Sequence, residues 1–290
     1  MKFATWITGS SEEAGILSRD LNSVHSFGSA GLPYKTLLEY IINRRDGDLA
    51  LLNSAQEKPG VPVSAVRLQA PIPRPHHDVI CLGLNYLDHL KEAARFDISV
   101  DEKRRESIYF SKRVVRALGP NGIIENHFDI NDRLDYEAEM AIVIGKDALR
   151  VKREDAYSYI FGLCCFNDIS GRDLQHNHNQ WYFGKSLDTF TAYGPCIVTI
   201  DEFSIPLRLD IKSRVNGEIR QSSNTENMIF PPEVIIEELS SGMTLDAGTI
   251  IATGTPSGVG AASTPHRCMK TGDVCEIELE GCGVLRNTVG

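Results

Sequence analysis

The order of apolar and polar residues predicts a chain in which strands outnumber helices. Continuous apolar runs indicate strands buried on both faces, and strict alternation indicates strands with one exposed face. The predicted strands cover residues 78–83, 109–110, 136–145, 159–166, 207–215, 218–222, 249–253, 274–279 and 284–288. The pair Asn216-Gly217 accepts the left-handed backbone of a type I′ turn and therefore predicts a hairpin.

Helical spacing of apolar residues is limited to three segments, residues 35–45, 86–94 and 231–241. Because no regular alternation of strand and helix connects them, we expect an α+β fold that is rich in β-strands.

The division of the chain is predicted from its prolines and its polar segments. Three prolines within residues 71–75 stiffen a short connection. We therefore expect a small N-terminal accessory region at residues 1–70 and a main domain at 71–290. Residues 95–107 are charged and poor in apolar side chains, which predicts a loop able to move over a site.

Composition narrows the class of protein. Of the 290 residues, 42% are hydrophobic and 24% charged, as in soluble folded proteins, and the net charge of -9 argues against nucleic-acid binding, which needs a basic surface. The chain has no apolar run of about 18 residues and no apolar signal segment, so we expect no membrane partner. Its seven cysteines form no CxxC pair, which predicts reduced thiols and a cytoplasmic protein.

Three carboxylates form a candidate metal site. Glu137 and Glu139 are two residues apart in a predicted strand, so their side chains share one face. Two such charges about 7 Å apart repel by about 2 kcal/mol at an effective dielectric of about 20, and burying both requires a cation or a proton. Asp168 ends another predicted strand and supplies a third oxygen ligand for Mg²⁺ or Mn²⁺. The alternative is a half-exposed strand with solvated glutamates.

Further polar residues are candidates for catalysis. His89 and Glu92 are neighbours on a predicted helix, and a carboxylate bonded to an imidazole produces a general base. Lys185 follows a glycine and can offset the charge of an enolate. For each of these residues, an ordinary surface side chain is the alternative.

Residues that follow Asp168 are candidates for substrate binding. Arg172 and Gln175 lie in the next turn, where an ordinary helix start is the alternative. Thr255 belongs to a glycine-rich turn without a nucleotide-binding pattern, which can present its hydroxyl to a carboxylate. His176 and His178 are interpreted as part of a polar loop rather than as a metal pair.

Eight motifs in order carry a family resemblance. They are CLGLNYLDHLKEA, YFSK, DYEAEMAIVIG, FNDISGRDLQ, QWYFGKSLDTFTAYGP, RVNGEIRQSSNTENMIF, IIATGTPSGVG and GDVCEIELEGCGVLRNTV. Together they strongly resemble the fumarylacetoacetate hydrolase family, in the branch of acylpyruvases and 2-oxo-hepta-ene-dioate isomerases, and the resemblance runs from about residue 75 to the C-terminus.

The resemblance implies a fold, a metal and a set of site residues. It implies a mixed β-roll or barrel catalytic domain at residues 71–290, a homodimer, and Mg²⁺ or Mn²⁺ bound by Glu137, Glu139 and Asp168. The implied catalytic residues are His89, Glu92 and Lys185, and the implied substrate-side residues are Arg172, Gln175, Thr255 and Lys112. Gly171, Cys282 and the segment 93–107 depart from the family pattern, which leaves the substrate open.

The expected function is metal-dependent chemistry on a small 2-oxo acid. We expect hydrolysis of a C–C bond in an acylpyruvate-like substrate, with the His-Glu dyad activating water and an enolate as the leaving group. Decarboxylation of an oxaloacetate-type β-keto acid is one alternative, and isomerisation or hydration of an unsaturated 2-oxo dioate is another. A non-enzymatic binding module is disfavoured, because a buried acidic cluster without a role is costly.

Overall fold

The computed structural model describes residues 1–93 and 106–290, and it is rich in strands. The strands are β1 Lys2–Thr8, β2 Ser11–Leu17, β3 Ser23–Ser26, β4 Val61–Pro62, β5 Arg67–Leu68, β6 Val79–Gly83, β7 Ile108–Lys112, β8 Ile123–Ile124, β9 Leu134–Asp135, β10 Ala138–Ile144, β11 Ile160–Asp168, β12 Ser170–Gly171, β13 Thr191–Thr199, β14 Asp210–Val215, β15 Glu218–Asn224, β16 Ile250–Ala252, β17 Val274–Leu279 and β18 Gly283–Val289. The helices are α1 Leu37–Asn43, α2 Asp48–Gln56, α3 Leu87–Ala93, α4 Arg172–Asn177, α5 Tyr182–Lys185 and α6 Pro232–Ser240. The predicted β-rich α+β class is confirmed.

A large mixed sheet forms the centre of the molecule. Its strand order is β4-β3-β2-β1-β13-β11-β10-β16-β6-β7, with β5 paired to β1. A second sheet has the order β15-β14-β17-β18-β8, and β9 pairs with β12. Because β10 and β11 lie in the interior of the large sheet, all of their residues are buried, which explains their continuous apolar sequences.

The two faces of the large sheet belong to two hydrophobic clusters. Along β10, Met140 and Ile142 join one cluster, and Ala141 and Val143 join the other, as the two-residue period of a strand requires. The second sheet packs on the face that carries Met140 and Ile142, since Ile277 of β17 belongs to the same hydrophobic cluster. Helix α1 packs on the other face. Both sides of the central strands are therefore covered.

The N-terminal residues are joined to the large sheet. Strand β1 pairs with β13, with Lys2 opposite Val198, and Tyr40 of α1 stacks on Phe3 with ring centroids 5.1 Å apart. The division of the chain at residue 70 stays a prediction.

Most of the longer predicted elements are confirmed. The hairpin turns at Asn216 and Gly217, whose φ values are 52° and 80°, and α6 begins with a proline as expected. Strand β13 and helix α2 were not predicted. The predicted loop at residues 95–107 lies almost entirely outside the described residues.

Two expectations from composition concern the helices and the cysteines. In the part of the chain that the structure describes, none of the helices has the length and apolar sequence that a membrane-spanning helix requires. All seven cysteines are free thiols, and six of them are buried.

Candidate active site

The three predicted carboxylates meet where β10 and β11 lie side by side. Glu139 and Asp168 project from the same face of these antiparallel strands, and the backbone N–H of Asp168 donates to the carbonyl of Glu137 at 3.0 Å. One oxygen from each of the three carboxylates lies within 4.8 Å of the others. All three side chains are buried, with Glu137 6% exposed and Asp168 fully buried. The structure therefore places the three candidate metal ligands together, and their role as ligands stays a prediction.

Glu137 differs from the prediction in one respect. It lies in the two-residue gap between β9 and β10 rather than inside a strand. Its backbone N–H donates to the side chain of Asn167 at 3.1 Å, so a side-chain amide takes the place of a strand partner. Although Glu137 lies outside the strand, its carboxylate still reaches the other two.

Buried cations hold two of the three carboxylates. Lys185 Nζ lies 2.7 Å from Glu137 Oε2 and 2.8 Å from Asp168 Oδ2. Lys112 donates to the other oxygen of Asp168, and Arg172 Nη1 lies 2.7 Å from Glu137 Oε1. Burial by itself would raise the pKa of Glu137, but Lys185 and Arg172 outweigh it and hold that pKa at about 2. Glu137 is therefore ionised across the physiological range.

Glu139 has a different environment. Its Oε2 accepts the backbone N–H of Gly254 at 2.8 Å, and within residues 1–93 and 106–290 it forms no ion pair with a Lys, Arg or His. Burial, followed by the charges of Asp168 and Glu137, raises the pKa of Glu139 well above its usual range. Glu139 is a buried carboxyl next to two other carboxylates, so a bound positive charge would stabilise its ionised form.

A cavity of about 550 Å³ opens onto this cluster. Most of the predicted site residues line it: His89, Glu92, Glu137, Glu139, Arg172, Gln175, Lys185 and Thr255. Asp168 and Lys112 are fully buried and do not belong to the lining. Lys112 donates to Asp168 and to the carbonyl of Ile169 at 2.9 Å, so in this structure it contacts a candidate metal ligand and not the cavity.

His89 and Glu92 form the predicted dyad on α3. His89 Nδ1 lies 2.9 Å from Glu92 Oε2, and Glu92 Oε1 accepts the backbone N–H of Gly258 at 2.9 Å. A second bond, from Ser257 Oγ to Asp88 at 2.8 Å, also ties the helix to the glycine-rich turn. With its proton on Nδ1, His89 has a lone pair on Nε2, which is the form of a general base.

Arg172 and Thr255 are both held by protein groups. Arg172 donates from Nε to Asp135 and from Nη1 to Gln175, each at 2.9 Å, while its buried Nη2 has no partner among the described residues. Thr255 donates to the carbonyl of Ala138 at 2.9 Å and accepts from Gln221 at 2.7 Å. Its hydroxyl proton is therefore used within the protein, whereas Arg172 keeps a free donor.

The comparison with family models decides the relationship. The model described as "Fumarylacetoacetate (FAA) hydrolase C-terminal" matches residues 78–290. The chain belongs to this family.

Relatives within the family share most of the chain. The oxaloacetate tautomerase YisK of Bacillus subtilis is 45% identical over 228 residues, which are 79% of this chain and 74% of that protein. A fumarylacetoacetate hydrolase from Exiguobacterium antarcticum is 37% identical with a TM-score of 0.85, covering 100% of this chain and 99% of that one. A maleylpyruvate hydrolase from Sphingobium sp., solved with manganese(II) and pyruvate, is 26% identical with a TM-score of 0.79, covering 100% and 98%.

The carboxylate cluster fits a divalent cation of the kind that family members bind. Its donors are oxygens, which Mg²⁺ and Mn²⁺ prefer, and they converge from three side chains. Glu139, which has no cation partner among the described residues, is the group that such an ion would neutralise. Glu137, Glu139 and Asp168 are therefore suited to hold the metal.

A second group with possible ligand atoms lies elsewhere. His77 Nε2 is 3.1 Å from Asp246 Oδ2, and His76 is adjacent, but both histidines are exposed. Exposed groups of this kind are common without an ion, and the group lies outside the cavity lining.

Asp135 was missed from the sequence, although it organises the site. It is fully buried, accepts the N–H groups of Gly260 and Ala261 at 2.8 and 2.9 Å, and pairs with Arg172. Its position two residues before Glu137, as the first of three alternating acids, is the sequence signal that points to it.

The structure also differs from the interpretation of His176 and His178 as part of a polar loop. His176 lies in α4 rather than in a loop, and both His176 and His178 line the cavity, as do Arg133 and His266. Local sequence carries no signal for this convergence, because the residues come from three separate segments.

Proposed function

We propose that this protein is a divalent-metal-dependent enzyme that interconverts the enol and keto forms of oxaloacetate or a closely similar 2-oxo acid. The observation that carries the proposal is one cavity that joins the carboxylate cluster, the Lys185 ammonium and the His89–Glu92 dyad. The relationship to an oxaloacetate tautomerase at 45% identity supports this choice among the reactions known in the family.

Glu137, Glu139 and Asp168 are the residues proposed to hold the metal. A bound divalent cation acts as a Lewis acid that polarises the carbonyl of a 2-oxo acid and so favours its enol form. The preference between Mg²⁺ and Mn²⁺ is left to measurement.

Lys185 is proposed to stabilise the enolate, and His89 is proposed to move the proton at C3. Burial would lower the pKa of Lys185, but Asp168 and Glu137 raise it above its ordinary value, so Lys185 remains an ammonium that stabilises negative charge on the C2 oxygen. When the enol forms, His89 takes the proton from C3 through Nε2, and the C2 oxygen receives a proton from solvent. In the reverse direction, His89 returns a proton to C3. Glu92 keeps the imidazole in the required tautomer.

C–C hydrolysis of an acylpyruvate-like substrate is a second candidate. Two observations favour this reaction. The His89–Glu92 dyad can activate water, and a maleylpyruvate hydrolase has the same fold. Decarboxylation of oxaloacetate would release pyruvate enolate, as acylpyruvate hydrolysis does, but it needs no attacking water. The three reactions differ in their products, so one assay separates them.

The test follows enol absorbance and NMR product spectra with Mg²⁺, Mn²⁺ or EDTA. Oxaloacetate and two acylpyruvates, acetylpyruvate and fumarylpyruvate, are supplied as substrates. We expect metal-dependent equilibration of enol and keto oxaloacetate without loss of carbon. Since free metal ions also catalyse this step, the Glu139→Gln variant at the same metal concentration gives the background rate. Carbon dioxide with pyruvate would identify a decarboxylase, and pyruvate with a carboxylic acid would identify a hydrolase.

Assembly and location are proposed from the family and from composition. We expect a homodimer in the cytoplasm. Light scattering gives the mass in solution, and a monomer at working concentrations would contradict the first expectation.

A further inference from the structure

Basic groups gather on one part of the cavity wall. Arg133, Arg172, His176 and His266 all line the cavity, and they come from the segment before β9, from α4 and from the segment before β17. Asp135 holds these segments together, since it binds Arg172 and the backbone N–H groups at 260 and 261. These buried contacts fix the segments that carry the basic side chains relative to one another.

The guanidinium of Arg133 is held through its Nε, and its two Nη groups have no partner among the described residues. Its Nε donates to Asp173 Oδ1 at 2.6 Å, and the same carboxylate also accepts the backbone N–H groups of Asp132 and Arg133. No described residue accepts a hydrogen bond from its Nη groups, and the side chain is 33% exposed. Asp173 orients Arg133, which lines the cavity, while its two Nη groups have no partner among the described residues.

Arg172 links this wall to the carboxylate cluster. Its backbone N–H donates to the carbonyl of Arg133 at 2.9 Å, and its Nη1 contacts Glu137 at 2.7 Å. Arg172 lines the cavity, while its Nη2 is buried and has no partner among the described residues. Arg172 therefore contacts a candidate metal ligand through its side chain and Arg133 through its backbone, so the two parts of the cavity wall are joined through one residue.

We propose that Arg133, with His176 and His266 beside it, binds the second carboxylate of a short dicarboxylic 2-oxo acid. This inference rests on the proposed function, because it places the 2-oxo acid end at the carboxylate cluster. A planar guanidinium with two unpaired Nη groups matches the two oxygens of a carboxylate, and two imidazoles can donate further hydrogen bonds. The site therefore binds short dicarboxylates more tightly than it binds pyruvate, which has one carboxylate.

Binding to the metal-loaded protein tests the subsite independently of turnover. Dissociation constants are measured by calorimetry for pyruvate, which has one carboxylate, and for oxaloacetate and 2-oxoglutarate, which have two. A charge-assisted hydrogen bond gives roughly tenfold or more in affinity, so the dicarboxylates should bind about tenfold more tightly than pyruvate. Equal affinity for pyruvate and both dicarboxylates would overturn the proposal.

Variants assign the effect to Arg133. Arg133→Gln should weaken dicarboxylate binding about tenfold and leave pyruvate binding within about twofold. The double variant Arg133→Gln/Asp173→Asn removes both partners of the ion pair, so a loss in both variants is not due to an unpaired Asp173. Arg267→Gln is the matched control, because Arg267 pairs with Glu218 and does not line the cavity. If pyruvate binding falls as much as dicarboxylate binding, or if the double variant binds like the wild type, the proposal is wrong.

Kinetics separate this inference from the proposed function. Loss of a contact made equally in the ground and transition states raises KM with little change in kcat, which is the pattern expected for Arg133→Gln with oxaloacetate. A wild-type protein that binds dicarboxylates selectively but does not turn over oxaloacetate would contradict the proposed reaction and retain the subsite.

Discussion

Replacing Glu139 by Gln is expected to abolish metal-dependent stabilisation without unfolding the protein. Glutamine has nearly the same size and keeps an oxygen for the N–H of Gly254, which donates at 2.8 Å. The substitution also removes one of three clustered carboxylates, so repulsion within the metal-free cluster does not increase. What is lost is a negatively charged ligand for a divalent ion.

The size of the effect follows from linkage. At a free metal concentration of about 100 times Kd, binding to the folded state adds about 2.7 kcal/mol. For a chain of this length, about 1 kcal/mol moves Tm by roughly 2 °C, so the wild type should gain about 5 °C. Glu139→Gln should gain less than about 1 °C under the same conditions.

Thermal unfolding monitored by fluorescence, with Mg²⁺ or Mn²⁺ titrated against EDTA, measures this difference. Glu237→Gln is the control, since Glu237 is an exposed partner of Arg153 far along the sequence from the cluster. A gain in Tm as large in Glu139→Gln as in the wild type would refute the assignment of the metal ligands.

The pH dependence of the same experiment has a defined sign. Because the pKa of Glu139 is raised in the folded metal-free protein, its contribution to stability is present at low pH and is lost as pH rises through that pKa. Metal binding must displace the proton, so metal affinity and the metal-induced rise in Tm should both increase with pH. A rise in Tm that decreases with pH would contradict the raised pKa.

Three further substitutions have separable outcomes. His89→Gln should lower kcat about 10²–10³-fold while the metal-induced rise in Tm is retained, which steady-state kinetics and thermal unfolding check together; a normal kcat would exclude His89 as the base. Asp135→Asn should destabilise the protein by roughly 3 kcal/mol, because Arg172 loses a fully buried partner, and denaturant unfolding measures this loss; an unchanged midpoint would show that Asp135 is not needed. Lys112→Met should lower the Tm of the metal-free protein and tighten metal binding, because a buried positive charge next to Asp168 is removed, and calorimetry with Mn²⁺ would show weaker binding if this reasoning were wrong.

The elements that were predicted from local sequence are those with a clear pattern of apolar residues or a characteristic turn sequence. Strand β10 has a continuous apolar sequence because both of its faces are covered, and the hairpin is specified by Asn216-Gly217. Strand β13 was missed because Gly194-Pro195 interrupts its apolar run. Helix α2 was missed because Leu49 and Leu51 are exposed and the apolar stripe is weak.

Only some of the contacts in the candidate site join residues that are close in the sequence. Glu137 with Glu139, and His89 with Glu92, are pairs whose spacing already brings them together. Lys185 was named as a candidate catalytic residue, but its contact with Glu137 spans 48 residues, so no local pattern contains it and the contact was not predicted. The basic wall of the cavity was missed for the same reason, since it forms only when distant segments converge.

Solvent exchange at C3 of oxaloacetate tests the central claim most directly. In D₂O with Mg²⁺ or Mn²⁺, the wild type should incorporate deuterium at C3 faster than the same metal ion alone, and proton NMR reports this without requiring a net reaction. Glu139→Gln and His89→Gln should each return the exchange to the rate of the free ion. Exchange by the wild type at the rate of the free ion, or exchange that both variants retain, would contradict a metal-dependent enolising site built on these residues.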